Sequence, residues 1–180
     1  MHVIVLNGGS SSGKSSIARR LQELLPEPWL HLGADTMVEA LPPWLLGGDG
    51  GIGGLEGGDG TVAVGPVFAR LDAAWSIGVA AMARAGAPVV VDEVFLGGAA
   101  SQQRWRTALA GLDVLWVGVH CDPSVAAARE AARGDRVTGM AAAQASAVHE
   151  GVGYDLVVDT SRASVDDCAG AILTRMTTPR

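Results

Sequence analysis

Short apolar runs alternate along the chain with segments in which apolar residues recur every three or four positions. The runs predict buried strands, and the segments with helical spacing predict amphipathic helices. The predicted strands cover residues 3–6, 29–32, 88–95, 113–121 and 154–158. The predicted helices cover residues 15–25, 36–41, 66–85, 99–110, 123–133, 139–148 and 164–176. This alternation is typical of a parallel sheet covered by helices on both faces, and the dense β-branched run 88–95 is predicted to be the central strand.

A glycine-rich stretch, GGDGGIGGLEGGDG at residues 47–60, interrupts the pattern with nine glycines in fourteen positions. So many glycines predict no regular element, and the stretch is interpreted either as a flexible tether or as a mobile flap over a bound acceptor. The halves on either side each lack a complete sheet. We therefore expect one domain over residues 1–180.

Composition narrows the classes of partner. The 180 residues are 48% hydrophobic and carry a net charge of −6 without any basic run, which disfavours nucleic acid or an acidic membrane as a partner. The N-terminal apolar run is too short for a secretion signal or a membrane span, so a cytoplasmic location is expected. Cys121 and Cys168 lack a metal-binding pattern and are expected to be buried free thiols. Oligomeric state stays open.

The motif GGSSSGKS at residues 8–15 fits the phosphate-binding pattern G-x-x-x-x-G-K-[ST] between a predicted strand and a predicted helix. Glycines let backbone N–H groups converge on phosphate, and a helix N-terminus favours the same anion. Lys14 adds a charge near the β- and γ-phosphates, and the Ser15 hydroxyl is a ligand for Mg²⁺. The motif predicts a bound nucleoside triphosphate and Mg²⁺, without distinguishing ATP from GTP. The predicted nucleotide-binding residues are Gly8, Gly9, Ser10, Ser11, Ser12, Gly13, Lys14, Ser15 and Ser16.

Two acidic positions follow predicted strands. Asp92 closes the run 88–95 and is predicted to position Mg²⁺, a role that the neighbouring Glu93 could share. Asp35 follows the second strand, at the sheet edge where ligands of α/β folds bind. Its carboxylate could accept the proton of an attacking hydroxyl, or it could cap the helix that follows.

Three arginines, Arg129, Arg133 and Arg136, surround the sequence REAARGDR. They are predicted to belong to a lid at about residues 126–148, in which Arg129 binds the nucleotide and the other two stabilise the transferred phosphoryl group. The alternative is a solvated helix end, where they pair with Glu130 and Asp135.

The residues that line the acceptor pocket are harder to identify from the sequence. Apolar side chains near Asp35 could line it or belong to the core: Met37, Val38, Leu41, Trp44, Trp75 and Phe95. His149 is interpreted as a structural histidine, with binding of a polar group as the alternative, and the other three histidines carry no signal.

Several blocks are more specific than the phosphate loop. They are NGGSSSGKSS, LPEPWL, AMARAGA, DEVFLGGAA, LDVLWVGVHCD, ARGDRVTGMAA and VHEG. With them, nearly the whole chain resembles the chloramphenicol 3-O-phosphotransferases, P-loop small-molecule kinases with a nucleoside-monophosphate-kinase-like fold. The resemblance implies a three-layer α/β P-loop kinase fold with a five-stranded parallel sheet, helices on both faces and a short helical lid.

The resemblance also implies an activity, namely ATP-dependent phosphorylation of the primary hydroxyl of chloramphenicol, which confers resistance. It implies that Asp35 is the base, that Lys14 holds the γ-phosphate, and that Arg133 and Arg136 come from the lid. The chain departs from the family at about residues 42–64, which are unusually rich in glycine and lie on the acceptor side. The alternatives are another antibiotic, a hydroxyl metabolite of the shikimate or gluconate type, or a nucleotide-binding switch without transfer activity.

Overall fold

The computed structural model of the chain describes residues 1–47, 50–53, 61–133 and 139–178. Five strands form one parallel sheet in the order β2-β5-β1-β6-β7. These strands are β1 (Val3–Asn7), β2 (Leu30–Gly33), β5 (Val89–Glu93), β6 (Val114–His120) and β7 (Leu156–Asp159). The predicted sheet is confirmed, but the central strand is β1 and not β5. Both strands are buried throughout, so their composition could not distinguish them.

Seven helices belong to the described part of the chain. They are α1 (Lys14–Leu24), α2 (Ala34–Glu39), α3 (Pro66–Arg84), α4 (Ala99–Ala108), α5 (Pro123–Arg133), α6 (Met140–Ala147) and α7 (Val165–Thr177). All seven were predicted, with ends that differ by at most two residues. None of the described helices is long and apolar enough to span a membrane.

The sheet is covered on both faces because its strand residues point alternately to the two sides. On one side, Ile4 and Val117 pack against α1 and α7 in a core cluster that includes the fully buried Ile17 and Ile172. On the other side, Val5 packs with residues of α3 and α4 in a second core. Cys121 and Cys168 are buried and free, as predicted.

Part of the glycine-rich stretch is ordered into a small hairpin. Strand β3 (Ile52–Gly53) pairs antiparallel with β4 (Ala63–Val64), so the prediction that residues 47–60 hold no regular element is wrong at this point. The side chain of Ile52 is buried against Met37 and Phe68, and this contact fixes the short strand. Residues 48–49 and 54–60 lie outside the described residues, and the flap interpretation stays a prediction.

Candidate active site

The phosphate-loop motif forms the connection between β1 and α1. Gly13 has φ of +94°, a left-handed conformation that favours glycine, and it is the N-cap of α1. Lys14 follows as the first helical residue, and its buried side chain donates a hydrogen bond from Nζ to the carbonyl oxygen of Gly9 at 2.8 Å. The loop therefore encloses its own cation at the place where the chain turns into the helix.

The donor groups of this loop fit a phosphate. The first-turn amides of a helix have no partner within the helix, and α1 has no side-chain cap. The hydroxyls of Ser11 and Ser12 are buried without a hydrogen-bond partner among the described residues. Unused donors beside a buried ammonium group form an environment that suits an anion.

Asp92, at the end of β5, contacts the start of α1. The Ser15 hydroxyl donates to Oδ2 of Asp92 at 2.5 Å, and Lys14 Nζ lies 3.7 Å from Oδ1. His31 Nε2 approaches Oδ2 to 3.5 Å from the neighbouring strand β2. Burial alone would raise the pKa of Asp92, but Lys14, His31 and Ser15 hold it below its usual value, so the carboxylate is ionised at neutral pH.

A hydroxyl and a carboxylate oxygen at this distance are the kind of ligands that Mg²⁺ takes beside phosphates. No three His, Cys, Asp or Glu side chains of the described residues cluster as a metal site on their own, so the remaining ligands would have to come from phosphate and water. Glu93 does not share this place. It follows Asp92 directly in the strand and therefore points to the opposite face, towards Asp72 and Arg104.

One cleft of about 870 Å³ extends from the phosphate loop across the carboxyl ends of β2 and β5. Lys14, Ser15, Asp35 and Asp92 all line it, so the structure brings these predicted residues together. Asp35 lies exposed in the first turn of α2, whose N-cap is Gly33. The alternative that Asp35 caps this helix is therefore wrong, because the helix begins at Ala34, before Asp35.

The far half of the cleft has an apolar wall. It is lined by side chains from α2, the hairpin and α3, namely Met37, Val38, Ile52, Val62, Val64 and Phe68. Of the apolar residues proposed from the sequence, Met37, Val38 and Phe95 line the cleft. Leu41 and Trp75 pack beside the wall instead. Trp44 is 68% exposed and lies outside the cleft lining.

Three polar side chains from separate elements form a cluster in the cleft. The Arg104 guanidinium of α4 contacts the Asp72 carboxylate of α3, and Glu93 lies beside them at the end of β5. All three line the cleft. Burial, followed by the nearby carboxylates of Asp72 and Asp92, raises the pKa of Glu93 to about 8. No sequence motif marks this cluster, because its members lie on separate elements.

Among the predicted arginines, Arg129 lies behind the phosphate loop and not in the cleft. It donates to Oγ1 and the carbonyl oxygen of Thr160, at 3.0 and 2.8 Å. Thr160 Oγ1 in turn donates to the Ser12 carbonyl oxygen at 2.7 Å. Glu130, the alternative partner of the arginines, instead accepts the amide N–H groups of Gly139 and Ala141. The roles of Arg129, Arg133 and Arg136 stay predictions; Arg136 and the Arg133 side chain lie outside what the structure describes.

The sequence did not predict the contacts that the histidines make. His31 contacts Asp92 and lines the cleft. His149 stacks on His120 with ring centroids 3.9 Å apart, and its Nδ1 lies 2.6 Å from the Tyr154 hydroxyl. Burial, followed by the charges of His120 and Lys14, lowers the pKa of His149 to about 4, so its ring is neutral at physiological pH. These contacts arise from strand pairing and helix packing, which cannot be predicted from the position of a histidine in the sequence.

Comparison with known proteins agrees with this geometry. The family model described as "Chloramphenicol phosphotransferase-like protein" matches residues 1–177. The chain belongs to this family. It is 34% identical over 183 aligned positions, covering 93% of this chain and 78% of the relative, to a protein of Mycobacterium tuberculosis strain H37Rv that carries the provisional name O-phosphotransferase. The family match and the phosphate loop together identify the chain as a P-loop O-phosphotransferase, that is, an ATP-dependent small-molecule kinase.

Solved structures share the fold of this family member. A sugar kinase from Janibacter sp. superposes with a TM-score of 0.73 at 17% identity, over 98% of this chain and 94% of that one. The APS kinase of M. tuberculosis, in complex with AMPPNP and APS, gives 0.70 at 19% identity over 98% of both chains. At these identities the likeness shows the fold alone, which is the predicted P-loop kinase architecture.

Proposed function

We propose that the chain transfers the γ-phosphate of ATP to the primary hydroxyl of a neutral, chloramphenicol-like acceptor. The observation that carries this proposal is the continuity of the cleft, which joins the phosphate loop to an apolar half and has Asp35 on its lining. A kinase needs its two substrates side by side, and a continuous cleft can hold them in that arrangement.

Asp35 is the general base in this proposal. The acceptor oxygen attacks the γ-phosphorus, so a new O–P bond forms while the bond from that phosphorus to the β–γ bridging oxygen breaks and ADP leaves. The proton of the acceptor hydroxyl passes to the Asp35 carboxylate. An exposed carboxylate in the first turn of α2 can meet a hydroxyl that enters the cleft without movement of the sheet.

The phosphate end of the cleft would hold the charges in place. Lys14 would move from its contact with Gly9 to the phosphates, and Ser15 and Asp92 would hold Mg²⁺. Bound Mg²⁺ would neutralise part of the negative charge of the phosphates. Arg133 and Arg136, from the proposed lid at about residues 126–148, would stabilise the developing negative charge, and Arg129 would approach the nucleotide from behind the loop.

The lining beyond the phosphate loop favours a neutral acceptor over an anionic one. Among the described residues there, the Arg104 guanidinium is already in contact with the Asp72 carboxylate, and Glu93, with its pKa raised to about 8, is mostly uncharged at neutral pH. The Asp35 carboxylate therefore leaves this lining with negative charge. Acceptors of the shikimate or gluconate type carry a carboxylate that would meet this negative lining. A neutral aromatic alcohol would instead pack on Met37 and Phe68 and keep its polar groups towards the cluster.

The test is an acceptor screen with the purified chain, ATP and Mg²⁺. ADP release is followed with chloramphenicol, with chloramphenicol blocked at the primary hydroxyl, with shikimate and with gluconate. The proposal expects rapid ADP release only with unblocked chloramphenicol or a closely related neutral alcohol. Rapid release with gluconate or shikimate and none with chloramphenicol would contradict the acceptor assignment.

A further inference from the structure

Helix α6 places one buried polar side chain against the phosphate loop. Gln144 is only 7% exposed and lines the cleft. Its Oε1 accepts a hydrogen bond from the backbone N–H of Ser10 at 2.8 Å. A buried amide that is held by the loop and also faces the cleft is not explained by core packing alone.

The loop and the helix are in direct contact at this point. A Cβ atom built on Gly9 would lie 3.2 Å from the Cβ of Gln144, so a larger residue would push the helix away by a few tenths of an ångström. Gly9 is also the residue whose carbonyl oxygen accepts from Lys14 Nζ. Gln144 therefore lies at the Lys14 end of the loop, where the β- and γ-phosphates of a nucleotide bind in P-loop proteins.

Helix α6 is fixed at both ends, which holds the amide in position. At its start, the Glu130 carboxylate accepts the N–H groups of Gly139 and Ala141, both at 2.8 Å. At its end, the side chain of Asn7, the last residue of β1, donates to the Val148 carbonyl oxygen at 2.8 Å. The register between helix and loop is thus set from both sides.

With Oε1 taken by Ser10, the amide of Gln144 has two N–H donors left on Nε2. Neither donates to another described residue, while Nε2 belongs to a side chain that lines the cleft. We propose that Gln144 is a phosphate-binding residue, whose Nε2 donates to the terminal phosphoryl group of ATP while Oε1 holds the amide of Ser10. This inference rests on the proposed function only in that ATP binds at the loop.

The test compares AMPPNP, which has a terminal phosphoryl group, with ADP, which lacks it, in direct binding titrations with Mg²⁺. Gln144→Glu keeps an oxygen for the Ser10 N–H but loses the Nε2 donors, and Gln144→Leu loses both. Both variants are expected to weaken AMPPNP binding roughly tenfold or more, the scale of a lost hydrogen bond to a charged group. ADP binding by Gln144→Glu is expected to fall less than AMPPNP binding, because ADP lacks the terminal phosphoryl group that Nε2 would contact.

Ser146→Ala, an exposed change on the same helix, is the matched control and is expected to bind both nucleotides normally. If Gln144 only packs the helix on the loop, AMPPNP and ADP affinities fall in parallel or Gln144→Glu binds both normally, and either result overturns the proposal. The titrations contain no acceptor, so an incorrect acceptor leaves them unaffected. A wild-type chain that binds neither nucleotide would contradict both proposals.

Discussion

The Ser15 hydroxyl lies 2.5 Å from Oδ2 of Asp92, so the first turn of α1 and the end of β5 meet in one polar site. The contact joins a residue of the phosphate loop to a carboxylate 77 positions further along the chain. Lys14 and His31 keep that carboxylate ionised, which makes it available for a cation beside bound phosphate. This relationship supports Asp92, and not Glu93, as the residue that positions Mg²⁺.

Substitutions of Asp92 and Glu93 distinguish the roles of these two carboxyl groups. We expect Asp92→Asn to raise the Mg²⁺ concentration needed for half-maximal activity by about tenfold to a hundredfold, because the charge beside Ser15 is lost. The measurement is initial rate against Mg²⁺ concentration. Glu93→Gln is the matched control and should leave the Mg²⁺ dependence alone, since Glu93 points to the opposite face of the strand. The assignment fails if the Mg²⁺ curve shifts for Glu93→Gln and not for Asp92→Asn.

Asp35→Asn tests the general base. The amide has nearly the same size but cannot take the proton, so we expect kcat to fall by about 10²–10⁴-fold. The Kd for AMPPNP should be unchanged, since Asp35 lies outside the phosphate loop. Glu39→Gln, in the same short helix, is the control and should keep kcat. Turnover near the wild-type value in Asp35→Asn would remove Asp35 from this role.

The contact between Asp72 and Arg104 is expected to influence which acceptors enter. Asp72→Asn frees the guanidinium charge, so carboxylate-bearing acceptors should gain about threefold to fivefold in kcat/KM relative to neutral ones, the scale of a partly exposed ion pair. Asp166→Asn, on α7 and outside the cleft lining, is the control. If the ratio between gluconate and chloramphenicol stays constant, the cluster does not select acceptors by charge.

Helix α7 carries a pH-dependent contribution to stability. Ser164 and Asp167 form a reciprocal cap, and the Ser164 hydroxyl, followed by its backbone N–H, lowers the pKa of Asp167. A lowered native pKa stabilises the fold above the ordinary aspartate pKa, and the contribution is lost as pH falls through the native value. Asp167→Ala should therefore lower the urea midpoint at pH 7 and differ little from wild type in strong acid. An equal difference in urea midpoint between the variant and the wild type at both pH values would contradict this role of the cap.

Local signals predicted much of this molecule. The phosphate loop is contiguous, and its glycines, lysine and flanking elements are all visible within residues 3–25. Each helix followed from its own periodicity or proline and glycine boundaries. The start of α2 was the exception. Its N-cap is Gly33, which is extended and has no side chain that could mark a cap, so Asp35 was the N-cap candidate in the sequence.

Contacts between distant elements could not be predicted in the same way. Asp72, Glu93 and Arg104 meet only because α3 and α4 cover the same face of the sheet. Likewise, His31 approaches Asp92 because β2 pairs with β5. The sequence shows the residue types but not the pairing order, as the misplaced central strand also demonstrates.

The central claim is transfer of the γ-phosphate to the primary hydroxyl of a neutral acceptor. The most direct measurement is mass spectrometry and phosphorus NMR of the product formed from chloramphenicol, ATP and Mg²⁺ by the wild-type chain. The account predicts one added phosphoryl group, bonded to the oxygen of the primary hydroxyl, together with one ADP for each product molecule. Formation of ADP at the same rate with and without chloramphenicol, with no phosphorylated product, would contradict it.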